Sequence, residues 1–199
     1  QLFYDKTMQL IIISGKIGSG KSTLSKCFQR KGYHYINSDI LAKNIIQNNK
    51  LVINELNKEF NISSDDGKIS LKNLKFILLS SEENKNKIDS IVHPFFYKEL
   101  NFILNESKDS KIVLELPLIE TRNNIKFNFK IISIKTSLKI REKRYLSQSK
   151  SKVEDFIILN KYQRSSGYYE KYSDYVISNN DTMEILQIKF NEVYSKLKE

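Results

Sequence analysis

Tryptophan is missing from this chain, cysteine occurs once, proline twice and glycine six times. The lone Cys27 cannot close an internal disulfide or build a cysteine-based zinc site. Nothing therefore demands an oxidising compartment or a structural metal, and a reducing cytoplasm is the expected location. So little Gly and Pro excludes a collagen-like or low-complexity chain. Long apolar runs are missing too, none approaching the roughly 18–20 residues of a membrane span. The start QLFYDKTMQLIII has neither the basic region nor the cleavage site of a signal peptide. Met8, just ahead of a strand-like run, sets residues 1–7 apart as an expected leader outside the fold. Negative charge is in deficit: 33 Lys and Arg stand against 23 Asp and Glu, a net +10. That favours an anionic partner, either nucleic acid or a phosphorylated small molecule, and charge alone does not choose between them. What remains, 199 residues with 40% hydrophobic and 28% charged side chains, excludes disorder and suffices for one sizeable core with an inserted lobe.

The order of patterns is that of an α/β protein. Leu10 to Ser14 (LIIIS) is a continuous apolar run, as a central strand covered on both faces requires. Lys21 to Lys31 carries Leu24, Cys27 and Phe28 at helical spacing, with Cys27 read as core filling and Gly32 as the stop. Further strands are expected at Tyr33 to Ile36, Lys111 to Leu116, Phe129 to Ile134 and Asp174 to Ser178. Helical patterns separate them, which predicts a five-stranded parallel sheet flanked by helices. The last helix opens on Asp181 and Glu184, spaced as a capping box. Two stretches exceed this alternation. Residues 40–110 hold far more helix than one crossover needs and are expected to form a helical lobe. Residues 137–167, rich in Lys, Arg, Ser and Tyr with a weak apolar stripe, read as a mobile cationic helical pair. The core is then expected at about 8–39, 111–136 and 168–199.

The chemistry begins after the first strand. Gly15 to Ser22 (GKIGSGKS) satisfies the phosphate-loop pattern G-x-x-x-x-G-K-[ST] between a strand and a helix. Glycines allow successive backbone N–H groups to face one anion, and the helix N-terminus adds partial positive charge. Gly15, Gly18, Ser19, Gly20, Lys21, Ser22 and Thr23 are therefore the expected residues for binding the phosphates of a nucleoside triphosphate. Lys21 would reach the β- and γ-phosphates and Ser22 would ligate Mg²⁺. The ends of the other strands must supply the acceptor chemistry. Asp39, after the second strand, could orient or deprotonate an acceptor hydroxyl, or could cap the following helix. Glu115, ending the third strand, holds the Walker-B place beside the metal's water shell, although strand alternation could equally leave it solvated. His93-Pro94 is expected to end or kink a helix, and His93 receives no proton-transfer role. Arg141, Arg144 and Arg164 could clamp phosphates or line a solvated helix face. Tyr162, Tyr168, Tyr169, Tyr172 and Tyr175 could interleave with cations on single-stranded nucleic acid, with hinge packing preferred.

Read together, IIISGKIGSGKST (Ile11 to Thr23), the NSD ending in Asp39, GKISLKNL (Gly67 to Leu74), IDSIVHP (Ile88 to Pro94), IVLELPLIE (Ile112 to Glu120) and SDYVISNN (Ser173 to Asn180) resemble the dephospho-coenzyme A kinase family. The resemblance runs from about Leu10 to the C-terminus. It implies a P-loop NTPase fold in which residues 40–110 form a substrate lobe and 137–167 a lid. The implied reaction moves the γ-phosphoryl of ATP, with Mg²⁺, to the ribose 3′-hydroxyl of dephospho-coenzyme A, the last step of coenzyme A synthesis. Lys21 and Asp39 become the catalytic residues and Arg144 and Asn179 join the ATP site. Asp39, His93 and Pro117 become the acceptor site, and Ser22 with Glu115, through water, the metal site. The partner is then a small molecule, with no nucleic acid and no membrane. Lys16, Asn37, Leu71, Glu115, Gln148, Ser165 and Tyr169 depart from the family pattern, which has Gly at the first, Asp at the second and fourth, and Arg at the third and fifth. It has Pro and a basic residue at the last two. Other P-loop small-molecule kinases, of nucleoside or shikimate type, are the enzyme alternative, and a nucleic-acid-binding NTPase is the alternative of another class.

Overall fold

The computed structural model describes residues 8–62, 67–148 and 152–198, so the expected leader lies outside the described residues. Five strands form one parallel sheet: β1 (Gln9–Ser14), β2 (His34–Asn37), β3 (Lys111–Glu115), β4 (Phe129–Lys135) and β5 (Tyr175–Ser178). Their order is β2-β3-β1-β4-β5, which puts β1 at the centre as its unbroken apolar run requires. Leu10, Ile11, Ile12 and Ile13 are all buried. At ~1.5–3 kcal/mol for each aliphatic side chain removed from water, this strand is a large share of the driving force. Ile13 pairs with Glu115 on one side and Ile132 on the other. That register aligns the carboxyl ends of the central strands, where ligands bind in such sheets.

The chain divides into two compact units, residues 1–37 with 108–199, and residues 38–107. In the first unit, Ile11, Ile13 and Val113 pack with Leu24, Cys27 and Phe28 of α1 (Lys21–Gln29) and with Leu186 and Phe190 of the C-terminal helix. Edge-to-face contacts of Phe28 with Tyr33 and Phe190, at 5.1 and 5.0 Å between centroids, complete that cluster. Cys27 is core, as its place on the apolar stripe predicts.

The second unit is helical: α2 (Ser38–Asn48), α3 (Lys50–Phe60), α4 (Leu71–Ser80) and α5 (Glu82–Glu106). Side chains of Asn49, Ser70 and Ser81 cap the last three by accepting first-turn N–H groups. Of the two outcomes expected at His93-Pro94, an end or a kink, the end is excluded, because α5 runs through Pro94 to Glu106. The missing N–H costs one helical bond. Val92, Phe96, Tyr97 and Leu100, all buried around it, outweigh that loss.

The remaining elements belong to the first unit. They are a 3₁₀ turn (Ile119–Asn124), α6 (Leu138–Leu146), α7 (Val153–Tyr162), α8 (Ser166–Lys171) and α9 (Met183–Lys196). The capping box expected at Asp181 and Glu184 is also corrected: Thr182 occupies the cap of α9, and Asp181 instead pairs with Lys189 at 2.8 Å. A full charge partner holds Asp181 more strongly than a backbone N–H would.

Candidate active site

Between β1 and α1 the chain turns through Gly15, Gly18 and Gly20 at φ of 143°, 76° and 100°. Space demands glycine there as much as φ does. A Cβ on Gly15 would meet Ile134 O at 2.8 Å, one on Gly18 would meet the Arg141 carbonyl carbon at 2.9 Å, and one on Gly20 would strike the Asn179 amide. Gly20 is also the N-cap of α1 and offers no side chain to its first N–H groups. Those donors are available to an anion, with the helix dipole behind them. Lys21 Nζ lies 3.4 Å from Lys16 O, across the loop it would serve. The buried hydroxyl of Ser19 has no partner among the described residues.

On one flank lies an acidic group. Glu115 ends β3 and is buried, so the solvated alternative is excluded. Ser22 Oγ donates to Glu115 Oε1 at 3.0 Å. Oε2 accepts from the Tyr35 hydroxyl and from Asn37 Nδ2 at 3.3 Å, while Asn37 also donates to Tyr35 Oη at 3.0 Å. Register explains the grouping: Asn37 pairs with Glu115 across β2 and β3, and Tyr35, two residues earlier, projects from the same face. Two departures from the family pattern, Asn37 and Glu115, thus touch each other. A second carboxylate at position 37 would set like charges side by side. Burial and the Glu115 carboxylate push the Tyr35 hydroxyl up to about 12, so it stays a donor at neutral pH.

The other flank is cationic. Arg141 of α6 is buried and donates to Thr136 O at 3.2 Å, Ile17 O at 3.2 Å and Asn160 Oδ1 at 2.9 Å. Gln163 Oε1, just after α7, accepts Ile17 N at 2.7 Å. Lys16 Nζ donates to Asn160 O at 3.1 Å. Burial first and the Arg141 charge second lower the Lys16 pKa below its ordinary value. Ser19 O is a hub. It accepts from Asn179 Nδ2 at 2.8 Å, Thr136 Oγ1 at 3.1 Å and Arg144 at 3.5 Å, and Arg144 also reaches Asn179 O at 3.1 Å. Neither Arg141 nor Arg144 lies on a solvated face. Arg164 does, and pairs with Glu120 at 3.6 Å.

The remaining candidates fall as follows. Asp39 is exposed in the first turn of α2, one residue inside its start, so it does not hold the cap position. His93, half-buried in α5, has Nε2 3.6 Å from Asp89 and its ring against Tyr97. Both belong to the second unit. In the first unit Pro117 O accepts the Tyr169 hydroxyl at 2.9 Å, and Tyr168 and Tyr172 pack on each other at 4.5 Å. Sequence reasoning passed over Tyr35, Thr136 and Asn160. Tyr35 could have been found by counting two residues back from Asn37 along the strand. Thr136 and Asn160 contact backbone carbonyls and an arginine across the fold, and leave no local pattern.

A glycine-rich anion loop on the central strand of this parallel sheet, with a buried carboxylate on the neighbouring strand, defines a P-loop nucleoside-triphosphate-binding protein. Within that class the chain belongs to the dephospho-CoA kinase family, whose sequence model matches residues 9–184. A dephospho-CoA kinase of Aquifex aeolicus is 31% identical over 96% of this chain and 98% of its own length. One of Fusobacterium nucleatum is 32% identical over 90% and 94%. A crystal structure from Thermus thermophilus superposes with a TM-score of 0.77 at 24% identity, covering 96% of this chain and 98% of the other. A shikimate kinase from Bacteroides thetaiotaomicron shares the fold at a TM-score of 0.54 and 12% identity, over 96% and 99%.

Proposed function

We propose that this chain transfers the γ-phosphoryl of ATP to the ribose 3′-hydroxyl of dephospho-coenzyme A. The observation that carries the reading is the loop from Gly15 to Ser22, shaped around an anion beside the buried Glu115. In this reading the loop's backbone N–H groups and Thr23 hold the phosphates and Lys21 takes up charge on the transferred group. Arg144 and Asn179 bind ATP, and they also tie Ser19 in place. The acceptor is held by Asp39, His93 and Pro117, and Asp39 orients or deprotonates its hydroxyl. Exposure of Asp39 in a first helical turn leaves its carboxylate open for that work.

Mg²⁺ fits the residues present. Ser22 Oγ and Glu115 Oε1, 3.0 Å apart, are hard oxygen donors next to the phosphate loop. They would hold the ion, Glu115 through water, and when bound it neutralises charge on the β- and γ-phosphates. The partner in this reading is the small molecule rather than nucleic acid. No helix among the described residues is long and apolar enough to cross a membrane, and the cytoplasm is the proposed site of the reaction.

The test pairs two measurements. ATP consumption should depend on added dephospho-coenzyme A and ignore added single-stranded DNA or RNA. Asp39→Asn should lower transfer by ~10²–10⁴ while ATP still binds. Because Asp39 is exposed and not the cap, stability should stay unchanged. Full transfer by the variant would remove Asp39 from the chemistry, and stimulation by nucleic acid instead of the acceptor would overturn the reading.

A further inference from the structure

The carboxylate of Glu115 has two unlike ends. Oε2 receives two donors from β2, the Tyr35 hydroxyl and Asn37 Nδ2, whereas Oε1 meets Ser22 Oγ at the head of α1. A glutamate side chain carries one more methylene than an aspartate and therefore one more torsion to fix. Something must stop it from swinging about that bond. Here two donors on one oxygen do so, and they leave the other oxygen aimed at the phosphate loop. Tyr35 is itself held, since Asn37 Nδ2 donates to Oη at 3.0 Å. The aromatic ring is half-buried in β2, so the hydroxyl is presented from a rigid strand rather than a mobile loop.

From this arrangement we propose that Tyr35, seconded by Asn37, is a positioning residue for the metal site: it fixes the Glu115 carboxylate so that Oε1 faces the ion held beside Ser22. The inference rests on the proposed kinase reading. In this proposal Tyr35 is not itself a ligand of the ion and acts through Glu115. Groups that orient a metal-binding carboxylate in this way typically account for 10–100-fold in metal affinity or activity.

The experiment measures Mn²⁺ binding by electron paramagnetic resonance in the presence of a non-hydrolysable ATP analogue, for wild type, Tyr35→Phe, Glu115→Gln and the double variant. Tyr35→Phe keeps the ring and should weaken Mn²⁺ by about 10-fold. Transfer at saturating metal should approach the wild-type rate, with the loss confined to the metal concentration required. In the Glu115→Gln background the same change should add nothing, because no carboxylate remains to be oriented. A merely structural tyrosine would cost the same in both backgrounds. Should Tyr35→Phe fold poorly, Asn37→Ser removes the second donor from Oε2 and should weaken Mn²⁺ in the same direction, again only while Glu115 is present.

Wild-type Mn²⁺ affinity in Tyr35→Phe and in Asn37→Ser, or additive effects in the double variant, overturns the proposal. Such a result beside normal phosphorylation of dephospho-coenzyme A leaves the kinase reading intact. A wild-type protein that neither transfers phosphoryl from ATP nor binds Mn²⁺ with the nucleotide overturns both.

Discussion

The two flanks of the phosphate loop are built from opposite materials. On the β2–β3 side a buried carboxylate is surrounded by neutral donors, Tyr35, Asn37 and Ser22. On the α6–α7 side cationic groups are spent largely on carbonyl oxygens, those of Ile17, Ser19, Thr136, Asn160 and Asn179. The first flank keeps a negative charge available, while the second uses positive charge to hold the loop's backbone in shape. A buried guanidinium cannot be deprotonated and must have acceptors, so Arg141 works here as a structural clamp. Arginines that reach carbonyls beside this loop fix the cradle, and in the proposed reading the charge on the transferred group is met foremost by Lys21.

Lys21→Ala gives the sharpest separation between holding the loop and doing chemistry on it. Removing one preorganised donor from developing charge costs on the order of 10²–10³ in turnover. Lys21 reaches Lys16 O across the loop at 3.4 Å, a marginal bond, and the thermal midpoint should stay nearly unchanged. Steady-state turnover and a melting curve on the same preparation decide it. A variant that unfolds would make Lys21 part of the scaffold and blur the division between the flanks.

Arg141→Met tests the cationic flank from the other direction. Methionine fills much of the space and offers no donors, which leaves Thr136 O and Ile17 O short of partners and Asn160 Oδ1 without its guanidinium donor. Leaving buried acceptors unsatisfied costs about 1–3 kcal/mol. At roughly 2–4 °C per kcal/mol for a chain of this size, the midpoint should fall by several degrees. Turnover should drop only as far as the loop loosens. A stable variant with collapsed turnover would mean that Arg141 touches the transferred phosphate, and the contrast between the flanks would fail.

The acidic flank was largely legible in the chain. A phosphate loop between strand and helix, and an acid at the end of a hydrophobic strand, are local patterns with a fixed spacing. The central place of β1 was legible for the same reason, since Leu10 to Ile13 has no polar face to turn outward. The cationic flank was not. Arg141, Arg144 and Arg164 look alike in sequence, yet one is buried, one bridges Ser19 and Asn179, and one pairs with Glu120 at the surface. Contacts between a side chain and a distant carbonyl leave no trace in spacing. The two misplaced boundaries have a similar origin. Lys189, eight residues further along, decides what Asp181 does, and buried neighbours of Pro94 decide that α5 continues. Tertiary contacts overrode local rules in both.

Tyr169 joins the flanks and supplies the smallest effect. Its hydroxyl, carried on α8, donates to Pro117 O beyond the end of β3 at 2.9 Å. Burial first, and the Glu120 carboxylate second, raise its pKa above the ordinary tyrosine value near 10. The sign follows from the proton count. Between the unfolded and the raised folded pKa the folded state binds more protons, so stability falls as pH rises. The stabilising contribution is whole below pH 10 and is lost progressively above it. Tyr169→Phe keeps the ring and removes both the bond and the titration. At neutral pH it should cost about 0.5–1.5 kcal/mol, one neutral hydrogen bond. The difference between wild type and variant should then shrink as denaturant midpoints are measured at successive pH values above 10. A constant difference would show that the hydroxyl titrates alike in the folded and unfolded chain, and no difference at neutral pH would show that it does not bind α8 to the end of β3. The two flanks would then be independent supports of the loop, and mutations on one side should add to those on the other without coupling.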